Sequence, residues 1–167
     1  LDKFGADALR FWMYSVNQPG ESKNFDEKTV DEIVKKVFNI TENIVSFYNL
    51  YKDESVEPNA KSKNILDRWL LSKLSELINT GEADLNNYKV FEAARAIREF
   101  VNDFSTWYLR RSRERFKSSD SKDRKRAIAT TRLALLELSK YMAPFLPFFA
   151  EHLYKQVKND NDPESVH

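Results

Sequence analysis

Apolar residues recur at intervals of three and four through four long stretches, and nowhere do β-branched residues alternate long enough to make a strand. Val30, Ile33, Val34, Val37, Phe38, Thr41, Ile44, Val45, Tyr48 and Tyr51 form the first stripe. Ile65, Leu66, Trp69, Leu70, Leu74, Leu77 and Ile78 form the second. Phe91, Ala94, Ile97, Val101, Phe104 and Tyr108 make the third, and Ile128, Thr131, Leu135, Leu138 and Met142 the fourth. This period puts each set on one face of a helix, and a face that apolar must meet another. The chain is therefore expected to be all-α, an antiparallel bundle of four to five long helices.

Punctuation between the stripes supports that reading. A short helix over 4–14 should stop at Asn17-Gln18-Pro19-Gly20. Asp26 is placed to cap the helix that follows, and Ser62 or Asn64 the next. Residues 52–63 are polar, contain Pro58 and read as a surface linker, while Gly81 should weaken or bend the second long helix. Asn86-Asn87-Tyr88 reads as a turn. Ala143-Pro144-Phe145-Leu146-Pro147 should break the fourth helix, with Pro147 as the first residue of a last one carrying Phe148, Phe149, Leu153 and Val157 inward. Residues from 159 onward are polar and expected to fray. The expected organisation is a short helical segment over 1–22, a bundle over 23–158 and a polar tail over 159–167.

Several kinds of chemistry find no residues here. There is no cysteine, which excludes disulfides, thiolate catalysis and cysteine zinc sites and fits a reducing, cytoplasmic compartment. The three glycines stand apart at 5, 20 and 81, so no Gly-rich phosphate loop exists. His152 reads as a rim residue, and Asp26-Glu27 and Asp31-Glu32 fall at helix starts, where carboxylates complement the dipole. No catalytic residue, metal ligand or cofactor contact is assigned. No run of apolar residues is long enough to span a membrane, and the start at Leu1 reads as that of a piece of a longer protein.

What stands out is charge. The formal net charge is only +1, yet residues 107–126 carry nine Lys and Arg against three Asp and Glu. Arg110, Arg111, Arg113 and Arg115 fall within six positions, bracketed by Trp107, Tyr108 and Phe116. Lys122, Arg124, Lys125 and Arg126 follow across a short Ser-rich break, with Arg95 and Arg98 upstream. The two sets belong to the end of the bundle where the third and fourth long helices join. Guanidinium forks suit phosphate oxygens, and aromatic or guanidinium planes suit unpaired bases. A single-stranded or looped RNA fits such an end, as would an acidic protein surface or solvent alone.

Several stretches resemble the anticodon-binding region of class I aminoacyl-tRNA synthetases, the isoleucyl branch most of all. Phe4-Gly5-Ala6-Asp7-Ala8-Leu9-Arg10 is similar to "YGADALR", and Leu66-Asp67-Arg68-Trp69-Leu70-Leu71-Ser72-Lys73-Leu74 to "DRWILSRL". The run from Trp107 to Phe116 resembles "WYxRRSRxRF", and Ala143 to Glu151 resembles "APFxPFxxE". Pro163-Glu164-Ser165-Val166-His167 is similar to the stretch after the bundle. Lys117 departs from the pattern, which has Trp there. The HIGH and KMSKS signatures of ATP chemistry are absent from these residues. The resemblance implies a module that holds the anticodon stem-loop of tRNA for a catalytic domain elsewhere in the same chain. That domain would use ATP and Mg2+ to attach isoleucine, and the piece in hand is expected to be inactive alone. Trp107, Arg110, Arg111, Arg113, Arg115, Lys122, Arg124, Lys125 and Arg126 are the expected tRNA contacts. A valyl or other class I module, or a bundle that binds proteins, are the alternatives.

Overall fold

The computed structural model describes residues 3–18 and 20–167. Among these, six helices run in order: α1 (Ala6–Ser15), α2 (27–51), α3 (Ile65–Asn86), α4 (90–116), α5 (Ser121–Met142) and α6 (Pro147–Val157). The turn of 87–89 and the break of 117–120 fold α3, α4 and α5 against one another, and α6 returns along α5 and α2. The expected all-α bundle is what forms. The Pro19 part of the stop after α1 lies outside the described residues.

Local chemistry places the ends. Asp26 accepts the Lys28 amide at 3.0 Å and caps α2, and Asn64 accepts the Leu66 amide at 2.9 Å and caps α3. Asp120 accepts the amides of Lys122 and Asp123 and caps α5. Tyr88 carries the turn between α3 and α4 at φ 58°, a left-handed conformation.

Two long helices contain a π-helical turn, Val34–Phe38 in α2 and Phe104–Leu109 in α4. The reason in α4 is spacing. Phe104, Tyr108, Ser112 and Phe116 are all buried and sit four apart. Four residues overshoot a full α-helical circle by ~40°, so a run of such steps would rotate off the core. A wider turn absorbs the excess and keeps all four inward.

The helix α1 joins the same core. Ala8, Phe11 and Trp12 are buried with the bundle residues, and the Trp12 indole donates to Thr29 Oγ1 at 2.7 Å. The start of α6 has no side-chain cap of its own, because Leu146 precedes Pro147. Asp7 supplies one: its carboxylate accepts the Phe149 amide at 2.7 Å across 142 residues. Burial lifts the Asp7 carboxyl above its ordinary value, opposed by the Phe149 and Phe148 amides and by Arg10. The "GADALR" and "APFxPF" stretches are thus two halves of one contact.

Packing accounts for Gly81 and overturns two local expectations. The helix α3 continues unbroken through Gly81, where a Cβ would collide with the hydroxyl and ring edge of Tyr141. Ile65 and Phe148, expected in the core, are 79% and 74% exposed, since each sits on the outer side of a first turn. The tail does not fray. Glu151 accepts Ser165 Oγ at 2.9 Å and the Val166 amide at 3.0 Å, and Tyr154 donates to the Pro163 carbonyl. Arg132, buried on α5, adds a second tether, donating to the carbonyls of Val56 and Val157 and to Asp162 at 2.9 Å.

Candidate nucleic-acid interface

Three helix ends meet at the cationic end of the bundle: the start of α3, the end of α4 and the start of α5. Helix starts favour carboxylates and helix ends favour cations, and the sequence obliges with Asp67, Asp123 and Arg115. Arg115 closes on both acids. Its Nη1 and Nη2 donate to the two oxygens of Asp67 at 2.6 and 2.8 Å, and its Nε and Nη2 donate to Asp123 at 2.9 Å each. Tyr108 donates to Asp67 Oδ1 at 2.8 Å and Ser62 to Oδ2 at 2.6 Å.

The Asp67 side chain is fully buried and Arg115 is 12% exposed, so this is a nearly dry, fully bonded ion group. Burial pulls the Arg115 pKa down, but the bonds to Asp67 and Asp123 outweigh it and hold the guanidinium more firmly protonated than usual. The same bond from Arg115 lowers the Asp123 carboxyl. Burial, with the Asp67 charge beside it, pushes the Tyr108 phenol above its ordinary value.

Arg115 is one of the expected tRNA contacts, and the fold turns it inward, because two carboxylates from other helices meet it there. Tyr108 and Phe116 are likewise withdrawn from stacking. Phe116 packs edge-on against Phe47 at 5.0 Å and beside Tyr51 at 5.8 Å, beneath the cationic end.

The rest of the segment faces out. Arg110, Arg111 and Arg113 are exposed, as are Lys122, Lys125 and Arg126, while Arg124 is half-buried and reaches the Ser118 carbonyl at 3.4 Å. Among the described residues none of these seven makes a salt bridge. Trp107 remains 45% exposed. Arg111 lies over its indole at 3.7 Å from the ring centroid, and Trp69 of α3 packs against it at 6.1 Å with planes tilted by 47°. Arg113 stands above Phe47 at 5.8 Å. An unneutralised group of cations with an aromatic step beside it attracts polyanions and offers a flat surface. Arg95 and Arg98 lie farther along α4 near Glu32, beside a cleft against α1 and α2.

Sequence reasoning missed Asp67, Asp123, Ser62 and Trp69. Both acids sit in first helical turns, where carboxylates are common, and nothing local marks the partner each meets.

Residues 67–167 match the family model described as the anticodon-binding domain of tRNA ligase. The chain belongs to that family. The match covers all of the cationic segment, so this anticodon-binding domain carries its exposed arginines inside the shared region. It is 40% identical to the isoleucine–tRNA ligase of Dehalococcoides mccartyi and 41% identical to that of Clostridium novyi, each over the whole chain. The domain spans 17% of the length of either relative. Solved structures share the fold at lower identity. The methionyl-tRNA synthetase of Mycobacterium tuberculosis superposes with a TM-score of 0.70 at 15% identity, over 91% of this chain and 32% of that one. The LeuRS of Agrobacterium radiobacter K84, in its ternary complex with tRNA and LeuAMS, gives 0.67 at 18%, over 95% of this chain and 19% of that one.

Proposed function

We propose that this anticodon-binding domain grips the anticodon stem-loop of tRNA(Ile) as part of an isoleucine–tRNA ligase. It would hold the tRNA so that the acceptor end reaches a catalytic domain elsewhere in the protein, where ATP and Mg2+ drive attachment of isoleucine. The observation that carries this is the exposed set Arg110, Arg111, Arg113, Lys122, Lys125 and Arg126, without a salt bridge among the described residues and with Arg111 laid against the exposed Trp107, in a family whose name specifies the anticodon. The whole-chain identity to isoleucine–tRNA ligases supports the choice of amino acid.

The residues do not suit ATP or Mg2+ themselves. Among the described residues no three His, Asp or Glu gather as a metal site, and the isolated glycines offer no phosphate cradle. The domain's part is therefore binding and orientation. Phosphates would meet Arg110, Arg113, Lys125 and Arg126, and unpaired bases the flat surface that Arg111 and Trp107 make together. No described helix is long and apolar enough to cross a membrane, and a cytoplasmic location beside other translation components is part of the proposal.

The test is tRNA(Ile) binding by the full-length ligase across a salt series. Each of Arg110→Ala, Arg113→Ala, Lys125→Ala and Arg126→Ala should lower affinity and reduce the slope of log affinity against log salt by about 0.7 per lost loop phosphate contact. Parent slope and affinity in all four, with native circular dichroism, would make the surface a solvated helix face and sink the proposal.

A further inference from the structure

We infer that the base-stacking surface of this domain is the outer face of the Arg111 guanidinium, with Trp107 acting behind it rather than touching RNA by its own face. The inference rests on the tRNA reading and adds the chemistry of one subsite: an unpaired nucleobase.

The geometry is specific to this pair. Five cation–aromatic contacts occur among the described residues, and four lie at 4.9 to 5.8 Å from the ring centroid. Arg111 sits at 3.7 Å, the separation of stacked planar groups. One face of the exposed indole is thus occupied. Trp69 leans on the same ring at 6.1 Å and 47°, which holds it from α3. A base approaching Trp107 meets the guanidinium first.

Arg111 itself is uncommitted. It is exposed and makes no hydrogen bond or salt bridge to any described residue. A guanidinium laid flat has one face against the indole and the other toward solvent, with its N–H groups pointing sideways. The outward face suits another flat ring, and the rim donors suit that ring's edge or a neighbouring phosphate. Because the indole already fixes the plane, little side-chain freedom is lost on binding. Arg110 and Arg113, without such a backing plane at stacking distance, remain phosphate-type cations.

Lysine separates charge from plane. Arg111→Lys keeps the cation and removes the stacking face. In the full-length ligase it should bind tRNA(Ile) roughly 10- to 100-fold more weakly, the loss of one stacked base, with an unchanged salt slope. Trp107→Leu should weaken binding to a similar extent. The double variant should be no weaker than the worse single one, since both act through one contact. Transcripts with single abasic nucleotides through the anticodon loop locate the base. At one position the abasic transcript should erase the difference between the parent and Arg111→Lys. Parent-like affinity for Arg111→Lys overturns the inference. So does a full loss confined to Trp107→Leu, which would make the indole the platform. If the parent protein shows no salt-dependent tRNA binding, the tRNA reading fails and this inference with it. Circular dichroism and thermal midpoints of each variant exclude misfolding as the cause.

Discussion

Replacing Arg115 with Ala should destabilise the domain more than removing any other arginine of the segment. The Asp67 carboxylate, fully buried, accepts four hydrogen bonds, two of them from Arg115. Without the guanidinium it keeps only the hydroxyls of Tyr108 and Ser62, neither of which balances its charge. Breaking a buried ion pair by deleting one partner costs about 3–5 kcal/mol. For a chain of this size each kcal/mol moves the thermal midpoint by roughly 2–4 °C, so a fall of roughly 6–20 °C is expected. Asp123→Ala should be milder, about 1 kcal/mol, because its side chain is 27% exposed and Arg115 keeps its bidentate bond to Asp67. Adding Asp67→Asn to an Arg115→Met variant removes the stranded charge and should recover part of the loss. Differential scanning calorimetry with urea titration reads all of these. An Arg115→Ala variant within about 1 kcal/mol of the parent, no less stable than Asp123→Ala, would refute the claim that the buried pair holds the helix ends together.

Other perturbations test the long-range contacts. Asp7→Ala removes the side-chain cap that α6 receives across the fold and should lower stability by about 1 kcal/mol, while Asp7→Asn, which keeps an acceptor, should lose less; equal midpoints for the two would deny the capping role. Gly81→Ala normally gains up to ~1 kcal/mol in a helix interior, but here the methyl meets the Tyr141 ring, so the sign should reverse to a loss of about 1–3 kcal/mol. A stabilised variant would show that Tyr141 moves freely. For the tail, the Val166 amide and the Lys155 and Ser165 bonds hold the Glu151 pKa at about 2, against an ordinary 4.5. A depressed carboxyl stabilises fully above its unfolded value and loses that effect as pH falls toward its folded one. The protection of the Val166 amide, its exchange rate taken relative to the intrinsic rate at each pH, should therefore hold at pH 5 and fall between about 4.5 and 2; loss of protection already at pH 6 would contradict it.

Much of this domain is local, and local physics is written in neighbouring residues. The apolar period of three and four made the helices and their inner faces readable. The caps at Asp26 and Asn64 lie two residues from the amides they accept, and Pro147 starts α6 by its own ring geometry. That Arg110, Arg111, Arg113 and Arg115 could not all turn inward was equally legible, because a bundle helix has few places to hide so many guanidinium groups. What the chain alone could not show is which arginine turns in. That choice depends on Asp67, 48 residues earlier in the chain, and on a π-helical turn that rephases the last turns of α4. The same holds for Trp69 bracing Trp107, for Tyr141 demanding a glycine at 81, and for Asp7 capping a helix 142 residues away. Each pairs groups whose separation in sequence carries no period or spacing, so only the packed helices bring them within bonding distance.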